Sequence, residues 1–268
     1  MIASVQSLQR AFKILFHVAG IRDGCSVAEI AAEAGLKEIT AYKLIRTLEA
    51  EKFLQRLGPP LRFTLGRSVH ELKHLDDERV LLTEAGKALL AAQRELPDAS
   101  FVLLQIEKGD TYQRMRVDPK HYGRLHRMRD HQVHSYEKAS SLLFLAYGSP
   151  EERDAFFAKH PFAKEGRPYW RSRFELEQFL AVVRRRGWSQ PEFAGEVYYR
   201  IAAPVWSPAG QVISSIGCFA EHAGLTKVMK RRMIQQCRRT AQAVTDTMRS
   251  LWLEPGYGKQ SEPAAGAE

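Results

Sequence analysis

Apolar residues recur at helical spacing in three successive runs at the start of the chain, and this pattern predicts three short helices. The first helix is expected over residues 4–19, where Gly20 offers a stop. The second begins after Ser26, because Ser26 and Glu29 have the spacing of a capping box. Gly35 then supplies the permissive backbone for a tight turn into the third helix.

The third predicted helix has two unlike faces. One face is apolar and suits a core, with Ala41, Leu44, Ile45 and Leu48. The opposite face and its flanks hold Ile39, Thr40, Tyr42, Lys43, Arg46 and Thr47. Cationic and hydroxyl groups on an exposed helix face suit the edges of bases in a major groove. The pattern therefore predicts a helix-turn-helix with a DNA-reading second helix.

Two short strand-like runs follow, at residues 53–57 and 61–65, and Gly58, Pro59 and Pro60 separate them. This arrangement is typical of a hairpin with a rigid tip. Three helices followed by a hairpin predict a winged helix-turn-helix over residues 1–66. Arg56 and Arg62 flank the hairpin, where a phosphate contact is expected.

The remaining chain mixes helical and strand-like patterns. A short connecting helix is expected near residues 68–75 and a longer one over residues 78–96. Strands are predicted at residues 101–107, 111–117, 197–205 and 211–220, and further helices at 140–146, 150–159, 173–186 and 225–253. This order indicates an α+β domain on a largely antiparallel sheet. The predicted division is a DNA-binding domain (1–66), a linker helix (67–76), a sensor domain (77–253) and a disordered tail (254–268).

Composition adds less than the pattern does. The 268-residue chain carries a formal net charge of +9, which favours an acidic partner such as nucleic acid. Residues 1–66 contain nine Lys and Arg against six Asp and Glu, so the excess does not concentrate on the predicted DNA reader. The three cysteines are too few and too scattered for a disulfide framework. Neither a signal peptide nor a membrane span is evident, which predicts a cytoplasmic protein.

The sequence contains none of the common catalytic motifs. It has no Gly-x-Ser-x-Gly elbow, phosphate-binding loop, His-Glu-x-x-His pair or Gly-x-Gly-x-x-Gly after a strand. We therefore expect no enzymatic activity and no cofactor. An enzyme that is only tethered to nucleic acid by its N-terminal module remains an alternative.

Several segments resemble IclR-type transcriptional regulators. In the N-terminal part they are SVQSLQRAFKIL, SVAEIAAEAGLKEITAYKLIRTLEAEKFLQR and RFTLG; in the C-terminal part they are KASSLLFLA and IAAPVWSPAGQVISSIGCF. The resemblance runs from about residue 4 to residue 253. It implies a winged helix-turn-helix followed by a GAF-like sensor domain with an antiparallel sheet. It also implies a homodimer or dimer of dimers that binds a palindromic double-stranded DNA operator and senses a small metabolite.

The sensor half departs from the family pattern at several positions. Ser141 and Leu142 follow Ala139 and Ser140, where the family usually has Gly-Lys. Arg200 stands where a cysteine commonly precedes the Ile-Ala-Ala-Pro strand. Gly217 and Phe219 occupy two positions near the ligand that are often serine. These changes leave open a regulator with a degenerate sensor domain that binds no ligand.

The candidate site residues follow from these patterns. The predicted DNA contacts are Gln6, Ser7, Thr40, Tyr42, Lys43, Arg46 and Arg62. The predicted effector contacts are Ser140, Ser141, Arg200, Gly217 and Phe219. A guanidinium at position 200 could hold a carboxylate through two parallel hydrogen bonds. This points to a small organic acid as effector, and aromatic acids are included in that class. The alternative is an ion pair of Arg200 with Glu196 or Glu221.

Four histidines, His121, His126, His131 and His134, lie close together in the sequence and raise the question of a metal site. No two of them have the spacing of a helical metal pair, and no carboxylate or cysteine pattern completes a ligand set. The sequence therefore predicts surface or loop histidines and no metal.

Overall fold

The computed structural model describes residues 4–133 and 136–253, and the side chains of residues 129, 130, 252 and 253 lie outside this description. The predicted tail (254–268) and His134 also lie outside the described residues. The described chain divides into two compact units, one up to Arg79 and one from Val80 onward. Each unit is described by itself below.

The N-terminal unit contains the predicted three helices and hairpin. Its elements are α1 (Gln6–Ala19), α2 (Val27–Ala34), α3 (Glu38–Ala50), β1 (Leu54–Leu57) and β2 (Arg62–Leu65). The capping box is confirmed, because the Ser26 side chain accepts from the Glu29 amide and the Glu29 carboxylate accepts from the Ser26 amide. Gly35 ends α2 in the left-handed region at φ 64°. Local sequence signals therefore determine the turn between α2 and α3.

Apolar side chains from all three helices and the hairpin form the core of this unit. Ile14, Ile30, Ile45, Leu54 and Phe63 are each at most 1% exposed. Strands β1 and β2 pair antiparallel, with Leu54 opposite Leu65. Cys25 exchanges two backbone hydrogen bonds with Phe63, at 2.9 and 2.8 Å. The segment before α2 is thereby attached to the wing.

The prediction of two helices between residues 68 and 96 is wrong, because the structure has one continuous helix, α4 (Arg67–Glu95). No glycine or proline interrupts residues 75–80, and Lys73–Asp77 and Asp76–Arg79 make ion pairs at helical spacing, each 2.7 Å long. Such pairs support an exposed stretch of helix that has no apolar stripe. The apolar pattern in the sequence is interrupted over residues 75–80 because the buried stripe of α4 begins only at Leu81.

The C-terminal unit is built on a five-stranded antiparallel sheet with the order β5-β4-β3-β7-β6. Its strands are β3 (Ser100–Glu107), β4 (Asp110–Val117), β5 (His126–Val133), β6 (Tyr198–Trp206) and β7 (Val212–Glu221). Its further helices are α5 (Ala139–Tyr147), α6 (Pro150–Lys159), α7 (Arg173–Arg186) and α8 (Lys227–Leu253). Together with the N-terminal unit, this arrangement confirms the predicted α+β fold class.

Helices cover both faces of this sheet. Phe101 and Leu103 of β3 pack in one core with residues of α4 and α8, including Leu89 and Cys237. Val102 and Leu104, which alternate with them, pack on the other side with Phe144 of α5. The alternation follows from the period of two along a strand. It places an inner surface of the sheet under α5, where the candidate effector residues lie.

Strand β5 was not predicted. The sequence predicted surface or loop histidines and no strand here, but His126 and His131 lie in β5, and His121 lies in a short 3-10 helix before it. The strand sits at the edge of the sheet, where charged and polar side chains limit pairing with other chains. Its run HRMRDHQV therefore lacks the apolar alternation by which a half-buried strand is recognised.

We expect the substitution Gly35→Ala to destabilise the N-terminal unit. A Cβ at Gly35 would meet nothing within 4 Å, so the cost comes from the left-handed backbone alone and should be about 1–2 kcal/mol. Gly58→Ala is the matched control, because its Cβ also has open space but its φ is not in that region. Chemical unfolding followed by circular dichroism measures both; equal stability losses in the two variants would contradict the expectation.

Candidate DNA interface and effector cavity

Helix α3 turns its predicted DNA-reading face to solvent. Ala41 and Ile45 are buried, whereas Thr40, Tyr42, Lys43 and Arg46 are exposed. Ile39, near the start of α3, is 75% exposed, which is high for an apolar side chain. The sequence pattern predicts Ile39 on this face, but Ile39 is not among the predicted DNA contacts. An apolar group here suits the methyl group of a thymine.

Arg46 is available for an external contact. Its side chain is 57% exposed, and its nearest carboxylate, Glu49, is 3.8 Å away. Glu49 already accepts a 3.0 Å hydrogen bond from Arg56 of the wing, which raises the pKa of Arg56. An exposed pair of this kind stabilises a protein by less than about 1 kcal/mol. Arg46 can therefore leave Glu49 at little cost.

Arg62 is more constrained than the sequence suggested. Its Nε donates to the carbonyl oxygens of Asp23 and Gly24, at 3.2 and 3.0 Å, and its Nη2 lies 2.8 Å from Glu29. These contacts connect β2 to the loop before α2 and to the capping box of α2. A phosphate contact by Arg62 stays a prediction, and the structure adds an internal bracing role.

Gln6 and Ser7 are exposed at the first turn of α1. Val5 occupies the N-cap and provides no side-chain acceptor for the first amides of the helix. Uncapped amides at a helix N-terminus suit an anion such as a phosphate. The position of these two residues is compatible with the predicted backbone contact.

A cavity of about 260 Å³ opens between the sheet and the start of α5. Four of the five predicted effector residues line it: Ser140, Arg200, Gly217 and Phe219. Ser141 does not line this cavity; it is buried on α5, because adjacent helix residues point about 100° apart. The cavity also has lining residues that the sequence did not indicate, namely Val102, Leu104, Gln113, Arg116, His131, Val133, Lys138, Ala139, Tyr198, Ile201 and Cys218.

Arg200 is held between two carboxylates. Its Nη1 contacts Glu196, and its Nη2 lies 3.1 Å from Glu137, so one of the two predicted alternatives, the pair with Glu196, is present. The Arg200 side chain is 15% exposed. Glu137 also accepts from Lys138, at 2.7 Å, and from the Tyr169 hydroxyl, at 3.2 Å. The charges of Arg200 and Lys138 are thus balanced within the protein.

Gly217 makes room for the side chain of Val102 beneath α5. A Cβ built at this position would lie 2.6 Å from Val102 Cγ2 and 3.5 Å from Ser140 Oγ. Gly217 pairs across strands with Val102, and the next residue on the same face, Phe219, pairs with Ser100 and Arg200. A serine here, as in the family pattern, would require Val102 to move.

Arg116 provides a further cation on the cavity wall. Its guanidinium carbon lies 5.2 Å from the centre of the Phe219 ring, within the range of a cation–π contact. Its Nε lies 3.2 Å from Asp118 Oδ2, an ion-pair distance, but lacks hydrogen-bond geometry to any partner in the described chain. Sequence reasoning missed Arg116 because only the strand register places it opposite Val102.

The expectation that no carboxylate accompanies the clustered histidines is wrong. Asp118, His121 and His126 each offer one ligand atom, and these atoms lie within 4.8 Å of one another. Asp118 caps the short helix at residues 119–121, while β5 begins at His126. The turn between β4 and β5 brings the three together, which spacing alone did not reveal.

The fold and the exposed face of α3 together define a winged helix-turn-helix domain of the kind that binds DNA. More specifically, residues 7–58 match the family model of the IclR helix-turn-helix domain. The resemblance to IclR-type regulators is thus confirmed for this domain. The match covers residues 7–58 and does not extend to the C-terminal unit.

Solved structures support the same fold over most of the chain. A protein described as an IclR-family transcriptional regulator from Rhodococcus sp. aligns with a TM-score of 0.60 and 16% identity, covering 92% of this chain and 94% of its own. IclR from Thermotoga maritima aligns with a TM-score of 0.52 and 18% identity, covering 90% and 98%. No curated protein sequence shows a significant match. In the described residues, no helix is both long and apolar enough to cross a membrane.

The ion pairs of Glu137 predict an acid-dependent stability. Burial tends to raise the pKa of Glu137, but the hydrogen bond from Lys138 and the charges of Lys138 and Arg200 hold it below 4.5. The stabilisation is therefore complete above about pH 4.5, the unfolded value, and is lost as the pH falls through the folded pKa.

Glu137→Gln tests this expectation. The difference in unfolding free energy between the native protein and the variant should be largest at neutral pH and shrink below about pH 4.5, in urea titrations at a series of pH values. Glu221→Gln is the control, because Glu221 is exposed on β7 and makes no ion pair with Arg200. A pH-independent difference for Glu137→Gln would contradict the prediction.

Proposed function

We propose that this protein is a ligand-responsive, sequence-specific regulator that binds an operator through residues 1–66 and a small organic acid through residues 77–253, with residues 67–76 as linker. In this proposal it acts in the cytoplasm, as a homodimer or dimer of dimers on a palindromic operator. The observation that carries it is the combination of an IclR helix-turn-helix domain with a lined cavity in the second unit.

The exposed face of α3 supports base readout. Lys43 and Arg46 provide cations, Thr40 and Tyr42 provide hydroxyl groups, and Ile39 provides an apolar contact. These groups have the variety needed to distinguish base pairs in the major groove. Gln6 and Ser7 would position α1 on the phosphate backbone, and a two-fold dimer would place two α3 helices in grooves about 34 Å apart.

We expect Arg46→Ala to weaken operator binding by about 1–3 kcal/mol, because a specific base contact of arginine is of that size. Fluorescence anisotropy with a fragment of the protein's own promoter and with a shuffled duplex measures the change. Arg94→Ala, which removes an exposed arginine from the last turn of α4, is the control and should leave affinity unchanged. Equal binding of both duplexes by the native protein would refute sequence-specific recognition.

The cavity favours a compact anionic effector with an apolar body. Its apolar wall comes from Val102, Leu104 and Phe219. Ser140 lies in the first turn of α5, and Lys138 caps that helix without a side-chain hydrogen bond to it. The positive end of the helix therefore lies at the end of the cavity that Lys138, Ala139 and Ser140 line. A volume of about 260 Å³ is at the lower end for ligand pockets, which limits the effector to a small molecule.

The balanced charge of Arg200 refines its role. Because Glu137 and Glu196 already occupy its nitrogens, Arg200 contributes to an effector site mainly by cancelling their negative charge. Without it, two carboxylates beside the cavity would repel an acid. Arg116 and the amides of α5 then receive the effector carboxylate.

A thermal-shift screen of benzoates and short aliphatic acids tests this arrangement. An acid that binds should raise the Tm of the native protein, since a ligand of the folded state stabilises it. Arg200→Gln should abolish the shift, and Arg200→Gln with Glu196→Gln should restore much of it, because neutrality returns. Arg184→Gln, an arginine of α7 outside the cavity, is the control. No shift across the panel would instead favour a regulator with a degenerate sensor domain.

A further inference from the structure

We propose that Asp118, His121 and His126 form a binding site for a divalent transition-metal ion, with Zn²⁺ as the representative case, at the turn between β4 and β5. The proposal rests on the geometry of this turn and does not depend on the proposed operator or effector. Two imidazoles and one carboxylate are a ligand set that zinc and related ions accept.

Distances within the cluster suit a shared ion. Asp118 Oδ1 lies 3.1 Å from His121 Nδ1. Two ligand atoms that are each about 2.0–2.2 Å from a tetrahedral zinc ion lie about 3.3–3.6 Å apart, so this pair needs to separate by only a few tenths of an ångström. The His121 and His126 ring centres are 4.9 Å apart. The His121 side chain is 50% exposed, so it can rotate to close the remaining gap.

His126 gives an independent indication of a missing partner. Its Nε2 atom is buried and has no hydrogen-bond partner within the described residues. A buried ring nitrogen without a partner costs free energy, whether it carries a proton or a lone pair. Coordination of a metal ion by His126 would satisfy the lone pair of a neutral imidazole.

The two carboxylate oxygens of Asp118 contact different residues. Oδ1 faces His121, whereas Oδ2 lies 3.2 Å from Arg116. An outer partner such as Arg116 orients a metal-binding carboxylate in many sites.

The turn that carries these ligands is braced from α4. The buried side chain of Gln93 donates to the Asp118 carbonyl, at 2.7 Å, and accepts from the Gly123 amide, at 2.9 Å. Asp118 also accepts a 3.0 Å hydrogen bond from the His121 amide. The backbone between Asp118 and Gly123 is thus held in place before any ion binds, which lowers the cost of ordering the ligands.

Calorimetric titration of the full-length protein with Zn²⁺, after removal of metal by chelator, tests the proposal. One ion should bind per chain, and Mg²⁺ should not compete, because imidazole ligands disfavour that ion. His121→Ala should weaken zinc binding by at least about tenfold, since even outer-shell changes often cost 10–100-fold. His74→Ala is the matched control, because His74 is exposed on α4 and is not one of the three grouped residues, so the change should leave binding unchanged.

Cysteine thiols should not compete for zinc, because all three cysteines are buried and burial raises the pKa of Cys237 to about 12. The visible spectrum of the Co²⁺ form gives a second measurement, and it should change in His121→Ala and in Asp118→Asn. The circular dichroism spectrum of each variant confirms that it is folded. Zinc binding of native strength in folded His121→Ala, or no binding by the native protein, would overturn the proposal.

Discussion

The sensor unit depends on one constraint. Charged side chains that are buried away from water on the inner face of its sheet must have an oppositely charged partner. Removing one member of a buried pair costs several kcal/mol, because the other charge remains desolvated. Arg200 is therefore held by Glu137 and Glu196, and Arg116 by Asp118. Glu137 lies two residues before α5 and Glu196 two residues before β6, so these ion pairs also fix the loops around the cavity to the sheet.

The shape of the cavity depends on the register of β3 and β7. Because Gly217 lies opposite Val102, the valine methyl group occupies the place of a missing Cβ. Phe219 is two residues further along and lies on the same face, where Arg116 covers its ring. A shift of one residue would turn all of these side chains to the α8 side. The cavity is thus a property of strand pairing and not of a single residue.

The N-terminal unit could be predicted from the sequence because its determinants are local. The capping box of Ser26 and Glu29 and the left-handed Gly35 each act within a few residues. In the sensor unit the deciding contacts are far apart in the chain, such as Arg116 with Phe219 or Glu137 with Arg200. Four of the predicted effector residues line the cavity, and they could be predicted because the family resemblance indicated their positions. Sequence spacing could not reveal that Asp118 joins two histidines, since edge strand β5 has no apolar alternation.

The two proposed sites of the sensor unit share an ion pair, and this has a thermodynamic consequence. Arg116 lines the effector cavity, while its partner Asp118 is a proposed metal ligand. A bound cation would neutralise part of the negative charge of Asp118. The positive charge of Arg116 would then be less compensated and would attract an anion in the cavity more strongly. Metal ion and organic acid should therefore strengthen each other's binding. Linkage requires the effect to be the same in both directions, so the change in zinc affinity caused by the acid must equal the change in acid affinity caused by zinc.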